Sequence, residues 1–418
     1  MKILLVNTYS SGGAALACIR LHNGLRANGI ESNLLLLKKN TKEEITHYAE
    51  FSGNVKKRTE GKFPIRKFPF LGAPEKIRSD IRSRPASEIE WFSFPDSGFD
   101  ITSHPFYKEA DLINIHWVSD FVDYEFFQKN TKPVVWTLHD MNAFTGGCHY
   151  SGSCTAYETS CPQCPQLTNT IAPRYSSRIW NYKKNGLKET NNLSIVALSN
   201  WLKQCSESSA LFKGKSHYLI PNGMDSTLFS PIDKMDARKQ LNLPLDKKIM
   251  LFVAYKTLHI PRKGYSILLE AISKLNRADV LLCSVGGAQK SEHSNSIIDF
   301  GFVSDERKMS LLYSAADFFV IPSTEDNLPN TVMESLLCGT PVLGFHAGGV
   351  PDMVKPQLNG LLAAQISADA LLQTIHEMLD YPDGFDRKAI REDAVLRYDQ
   401  RVQAKNYVEL FQKILKEK

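Results

Sequence analysis

The sequence is short of several features that would set its class at once. No apolar run approaches the length of a membrane span, and residues 3–6 (ILLV) are too few before Asn7 for a signal-peptide core. Synthesis and residence in the cytoplasm are the resulting expectation. Net charge is slight, +5 over 418 residues, and no zinc-finger or RNA-recognition signature occurs, so nucleic acid is not an expected partner. The Ser-Ser-Gly-Gly turn at residues 10–13 has neither the G-x-G-x-x-G spacing nor that of a P-loop, which removes the best support for NAD-linked or ATP-hydrolysing chemistry. There is no internal repeat and no low-complexity tract.

What is present is an ordinary globular composition, 43% hydrophobic and 23% charged, in a chain longer than one core usually serves. Two domains are predicted. Residues 2–7 (KILLVN) read as a buried strand; Leu16, Ile19, Leu21 and Leu25 fall near helical spacing up to a capping Gly29, and ESNLLLL resumes as a strand. Apolar runs at 112–115, 134–138, 195–198 and 218–220 alternate with helix-like stretches, which favours a parallel α/β sheet. The pattern restarts at KIMLFVAY (248–255), and VLLCSVG, IIDFGFV, DFFVIPS and PVLGF follow as strand candidates between helical segments. The predicted division is residues 1–228 and 229–399, each Rossmann-like, with an amphipathic helix at 400–418 packed back on the first domain. Ligands of such sheets lie at the carboxyl ends of the strands, so a cleft between the domains is the expected place for chemistry.

Two sets of residues stand at strand ends. Gly12 and Gly13 follow the first strand and open a helix, where backbone N–H groups suit an anion, although a plain tight turn needs them as well. IPSTEDNLPNTVMESLLCGTPVLGF (321–345) runs strand, polar loop, helix, glycine, proline, strand. It places Asp326 in the loop and Glu334 in the first turn of the helix. Thr331 and Glu334 also fit a T-x-x-E capping box, which needs no ligand, but that leaves the run Glu325, Asp326, Asn327 unexplained.

With these motifs the chain resembles the retaining glycosyltransferases of the GT-B fold, family four, including those that build bacterial surface polysaccharides. PSTEDNLPNTVMESLLCGTPV aligns without gaps to that family's Glu-x7-Glu segment, with Asp326 in place of the first Glu and Pro329 removing a backbone N–H from the loop. SIVALSNWLK and YLIPNGMDSTLF resemble the segment leading into the second domain, and GFVSDERKMSLLYSAADFFVIPS the base-binding strand and its helix. The resemblance implies that Asp326 contacts donor-sugar hydroxyls, Glu334 contacts the ribose hydroxyls, and the helix start at Asn330, Thr331 and Val332 faces the pyrophosphate. Gly301, Phe302 and Val303 would lie by the nucleobase. Lys263 and Gly264 match a Lys-Gly pair whose basic residues neutralise the diphosphate, with Arg262 as the substitute for the family's Arg. His139, ending VVWTLHD, would stand by the donor sugar; His116, ending LINIHW, reads more readily as structural.

The implied reaction is sugar transfer from a nucleotide-sugar donor, UDP favoured, to a lipid-linked saccharide, with no catalytic metal. A GT-B epimerase, a phosphorylase and a non-catalytic sugar-nucleotide or glycan-binding scaffold are the competing readings. Ten basic residues between 54 and 84, interleaved with Phe63, Ile65, Phe68, Phe70 and Leu71, point to the anionic inner membrane surface. Cys148, Cys154, Cys161 and Cys164 follow His139 with C-x5-C-x6-C-x2-C spacing. A reducing cytoplasm disfavours disulfides, and structural Zn²⁺ is the expected occupant, with His149 as a replacement ligand and free or redox-active thiols as the alternative.

Overall fold

Alternate side chains of the first strand, β1 (Lys2–Tyr9), pack into two different cores. Leu4 and Val6 join the cluster built around Ile113, Phe121, Trp136 and Phe212, whereas Ile3 and Leu5 pack with Leu21, Leu25, Tyr407 and Phe411. A strand covered on both faces this way belongs to a parallel sheet sandwiched by helices. The computed structural model describes residues 1–42, 44–52, 74–254, 260–286, 297–381 and 384–417. It divides into two units, Met1–Ile220 with Gln403–Lys418, and Pro221–Val402.

The first unit holds β1, β2 (Glu31–Lys38), β3 (Tyr48–Glu50), β4 (Leu112–Ile115), β5 (Val134–Leu138), β6 (Leu193–Ala197) and β7 (Ser216–Leu219), all parallel, in the order β3-β2-β1-β4-β5-β6-β7. The second holds β8 (Lys248–Val253), β9 (Val280–Val285), β10 (Ile297–Asp299), β11 (Phe318–Ile321), β12 (Val342–Phe345) and β13 (Gly360–Ala363), again parallel, in the order β10-β9-β8-β11-β12-β13. Each sheet reverses its strand order once, at β1/β4 and at β8/β11. Such switch points open a crevice outside the carboxyl ends of the strands. The helix Gln400–Lys416 carries Tyr407, Leu410 and Phe411 into the first unit's core.

Two strands have no counterpart in the sequence reading. β3 is three residues long, and β13 carries the sequence GLLA, opened by a glycine, so neither presents the extended apolar run that marks the others. The reverse error occurs at IIDFGFV, where the strand stops at Asp299 because Gly301 takes φ +62°, a left-handed conformation that ends the extended run.

The helix after β1, Gly13–Ala27, buries His22 completely. Its Nε2 lies 2.9 Å from the Thr46 carbonyl, which can only accept, so Nε2 carries the proton and Nδ1 accepts from the Ser32 hydroxyl at 2.8 Å. Burial lowers the His22 pKa to about 4. Because the unfolded chain takes up this proton near pH 6.5 and the folded chain only near pH 4, stability falls as pH drops through that window, by up to about 3 kcal/mol. Urea midpoints measured at pH 7 and pH 4.5 are expected to separate further in the native protein than in His22→Gln, whose amide does not titrate; equal separations would refute the assignment.

Candidate active site

Glycine chemistry at one position brings the second unit's candidate residues together. After β8 the chain makes a single helical turn, Pro261–Lys263, then Gly264 at φ +68° starts the helix Tyr265–Lys274. A Cβ on Gly264 would stand 1.8 Å from the carbonyl oxygen of Pro322, which follows β11. Both the left-handed backbone and the absence of a side chain are therefore required, and together they press the Arg262–Lys263 turn against the loop after β11. Thr324 N–H closes the contact by donating to the Arg262 carbonyl at 2.8 Å.

The consequence is an ion cluster at the β8/β11 switch point. Lys263 Nζ lies 2.6 Å from Asp326 Oδ2 and the Arg262 guanidinium 3.6 Å from the same oxygen, while Arg262 also donates to the Glu325 carbonyl at 2.6 Å. Asp326 is 6% exposed. Burial alone would raise its pKa, but Lys263 and Arg262 outweigh that and hold it below the ordinary carboxylate value. In the structure the Asp326 carboxylate thus faces two cations, a placement the sequence reading, which aimed it at sugar hydroxyls, did not foresee.

The next helix is Asn330–Leu337. Its N-cap is Pro329, with no side-chain capping bond, so Thr331 and Glu334 do not form the capping box that their spacing allows. Glu334 sits in the second turn, not the first, and accepts a hydrogen bond from the Tyr313 hydroxyl at 2.8 Å. Asn330 and Thr331 are half-buried and Val332 is buried. Gly301, Phe302 and Val303 occupy the loop beyond β10, where Phe302 is 69% exposed and Gly301 N–H donates to Asp299 Oδ1 at 3.0 Å.

In the first unit, Gly12 at φ +96° is the N-cap of Gly13–Ala27, again without a side-chain cap. His116 follows β4 and His139 follows β5. They are hydrogen-bonded to each other, His116 Nδ1 to His139 Nε2 at 3.0 Å, so His116 belongs to the same group as His139. Burial lowers the His139 pKa to about 4 against the opposing pull of Asp140, and burial together with His139 pushes His116 well below its ordinary value. Both rings are neutral at pH 7. With Trp117, Asp140, Asn142 and Tyr124 they line a pocket next to β4 and β5.

Asp140 anchors the loop that follows. It accepts from the Trp117 indole at 2.9 Å and from His149 Nδ1 at 2.6 Å, and His149 Nε2 lies 2.8 Å from the Ser93 hydroxyl. Both ring nitrogens of His149 are therefore hydrogen-bonded within the protein. Among the described residues no group of three or more His, Cys, Asp or Glu side chains could hold a metal ion as it stands. The four cysteines are nevertheless neighbours. A Cys148–Cys164 hydrogen bond raises the first thiol's pKa and lowers the second's, Cys161 Sγ accepts the Gly146 N–H at 3.2 Å, and Cys154 is close enough to perturb Cys161 and Cys164.

Of the basic residues between 54 and 84, Lys56, Lys57, Arg58, Lys62, Arg66 and Lys67, with Phe63, Ile65, Phe68, Phe70 and Leu71, lie outside the described residues. On the described helix Glu75–Ser83 and just after it, Arg78 pairs with Asp96 at 2.6 Å, Arg82 with Asp120 at 3.5 Å and Arg84 with Asp80 at 3.1 Å. These three charges are answered within the protein. No described helix is long and apolar enough to cross a membrane.

Sequence reading missed Ser93, Asn114, Trp117 and Tyr313. Asn114 alone left a signal, a carboxamide inside the apolar run LINI that a fully buried strand has to satisfy.

Two parallel sheets, each reversing at one switch point, with polar groups gathered at the strand ends, define the GT-B fold. Residues 233–395 match the family model described as glycosyl transferases group 1. Over 183 residues the chain is 30% identical to a D-inositol 3-phosphate glycosyltransferase of Segniliparus rotundus, covering 40% of this chain and 39% of that protein. It is 22% identical over 261 residues to the putative colanic acid biosynthesis glycosyl transferase WcaC of Escherichia coli, covering 61% and 63%. The chain thus spans less than two thirds of either relative. The crystal structure of Anabaena Alr3699/HepE in complex with UDP superposes with a TM-score of 0.64 at 16% identity, covering 99% of this chain and all of that one.

Gly264→Ala is expected to break the ion cluster, because the new methyl group has to displace Pro322. Thermal unfolding should drop by several degrees, corresponding to about 2 kcal/mol or more. A melting temperature within one degree of the native value would contradict the close approach.

Proposed function

We propose that the protein is a retaining family-four glycosyltransferase that moves a sugar from a nucleoside-diphosphate donor, UDP favoured, to a lipid-linked saccharide in surface-polysaccharide biosynthesis at the inner face of the membrane. The observation that carries this reading is the Arg262–Lys263–Asp326 cluster at the β8/β11 switch point, on a loop that leads into a helix with no side-chain cap. Cations and a helix amino end are the groups a departing diphosphate needs, since its negative charge grows as the sugar leaves. The group 1 match over 233–395 covers this cluster, and the UDP complex of a similarly folded protein supports a nucleoside diphosphate.

In this reading Asp326 first holds both cations in place, and Glu334, fixed by Tyr313, takes the ribose hydroxyls. Gly301, Phe302 and Val303 contact the base. Gly12, Gly13 and His139 are the first unit's candidates for contact with substrate. Retention follows front-face attack in which the leaving phosphate oxygen accepts the acceptor hydroxyl's proton, so neither an enzyme nucleophile nor a catalytic metal is required.

The test is nucleotide release from UDP-, GDP-, ADP- and dTDP-sugars by the purified protein, with and without a lipid-linked saccharide in anionic or neutral vesicles. One donor should give acceptor-dependent release, greater on anionic vesicles, and Glu334→Ala and Lys263→Ala should each lower it by about 100-fold or more with unchanged circular dichroism. Native rates in both variants would overturn the donor site. No release from any donor would favour a non-catalytic binding protein.

A structural zinc on Cys148, Cys154, Cys161 and Cys164 belongs to the same proposal. Supporting it are the neighbouring thiols, the Gly146 N–H directed at Cys161 Sγ, and the buried ammonium of Lys183, whose pKa burial lowers to about 8 while Cys148 and Cys161 pull it up. A tetrathiolate would add negative charge beside this cation, which already donates to the Asn142 carbonyl and lies within reach of the Asp140 carboxylate, and binding would draw the sulfurs into a tetrahedron. Elemental analysis of protein purified without chelators should find about one zinc per chain, lost in Cys161→Ser. Metal-free, active protein with four titrating thiols would end the idea.

A further inference from the structure

We propose that Asn114 and His116 are positioning residues that fix the tautomer of His139, placing its proton on Nε2 and leaving Nδ1 as a hydrogen-bond acceptor. The assignment starts from a group whose orientation is not open. Asn114 Nδ2 lies 3.0 Å from the Val135 carbonyl oxygen and 3.0 Å from Thr137 Oγ1. Reversing the carboxamide would set its oxygen against the Val135 carbonyl, two acceptors in contact in a site where Asn114 is fully buried, so the nitrogen has to point there.

Every later step follows from donor and acceptor matching. Asn114 Oδ1 then faces His116 Nε2 at 3.0 Å and can only accept, so His116 carries its proton on Nε2. A neutral His116 has a lone pair on Nδ1. That lone pair meets His139 Nε2 at 3.0 Å, with the two ring planes 28° apart, so His139 donates from Nε2. A neutral His139 is left with its lone pair on Nδ1. The chain of bonds is tied down at its far end, where Thr137 Oγ1 and the Tyr407 hydroxyl lie 2.8 Å apart, with Tyr407 fully buried on the helix Gln400–Lys416.

A partner at Nδ1 of His139 must therefore be a donor, such as a sugar hydroxyl, and not an anionic phosphate oxygen. This consequence rests on the proposed transferase reading; the tautomer does not.

Long-range proton–nitrogen correlation spectra of the full-length protein, labelled with ¹⁵N-histidine, read the tautomer directly. His116→Gln and His139→Gln provide the assignments. At pH 7 His139 is expected to show a protonated-nitrogen shift at Nε2 and a lone-pair shift at Nδ1, as is His116. A proton on Nδ1 of His139, or an imidazolium at that pH, overturns the proposal.

Asn114→Leu removes the acceptor for His116 Nε2–H and should let both rings change tautomer, whereas Asn114→Gln keeps a neutral carboxamide with both its donor and its acceptor and should keep the native pattern. An unchanged His139 pattern in Asn114→Leu would show that Asn114 does not set it. If Asn114→Leu does not fold, the native spectrum still decides the tautomer and Asn114→Gln the role of the acceptor. Donor kinetics separate the two layers: a native tautomer with no turnover of any sugar nucleotide leaves this assignment standing and counts against the transferase reading alone.

Discussion

Both units obey one constraint: a parallel sheet covered by helices on its two faces has no room for unpaired polar groups except where strands end. β4 and β5 are buried along their whole length, and the polar side chains within them, Asn114 and Thr137, satisfy each other. Charged and titratable groups accordingly appear at the carboxyl ends: His116 and His139 after β4 and β5, Arg262 and Lys263 after β8, Asp326 after β11. The strand order then decides which of these ends are neighbours: β4 beside β5 in one sheet and, across the reversal, β8 beside β11 in the other.

The two units solve the electrostatics differently. In the second, a buried carboxylate is kept ionised because two cations stand against it, and charge is held ready at the sheet edge. In the first, two histidines are kept neutral because burial makes the imidazolium costly, and their ordering comes from directional hydrogen bonds instead of charge. Asp140 sits beside them as an anion with its own partners, the Trp117 indole and His149, which tie the cysteine loop to the end of β5. A cationic cluster suits a diphosphate. A neutral, oriented imidazole suits a hydroxyl.

Much of the fold was legible in the chain because long apolar runs bounded by Gly, Pro and Ser have few other uses. β4, β5 and β12 fall within a residue of the runs that announced them, while β3 and β13 were hidden by shortness and by a weak apolar pattern. Lys263, Gly264, Asp326 and Glu334 stood out through spacing and family resemblance. The pairing of Asp326 with Lys263 did not, since 63 positions separate them and it takes the β8–β11 pairing and the Gly264–Pro322 contact to bring them together. The contacts of His116 and Asn114 were hidden for a similar reason: a polar residue in or beside an apolar strand reads as an exception until its partner on the next strand is known.

By itself the sequence determined the two-sheet architecture, the ends of most strands and the residue types available at each end, because hydrophobic periodicity and backbone-special residues are local properties. Which oxygen of Asp326 meets which cation, which helix carries Tyr313 to Glu334, and which nitrogen of His139 bears the proton were decided only by tertiary structure. Those outcomes depend on distances between groups far apart in the chain, and hydrogen bonding and ion pairing act only within a few ångströms.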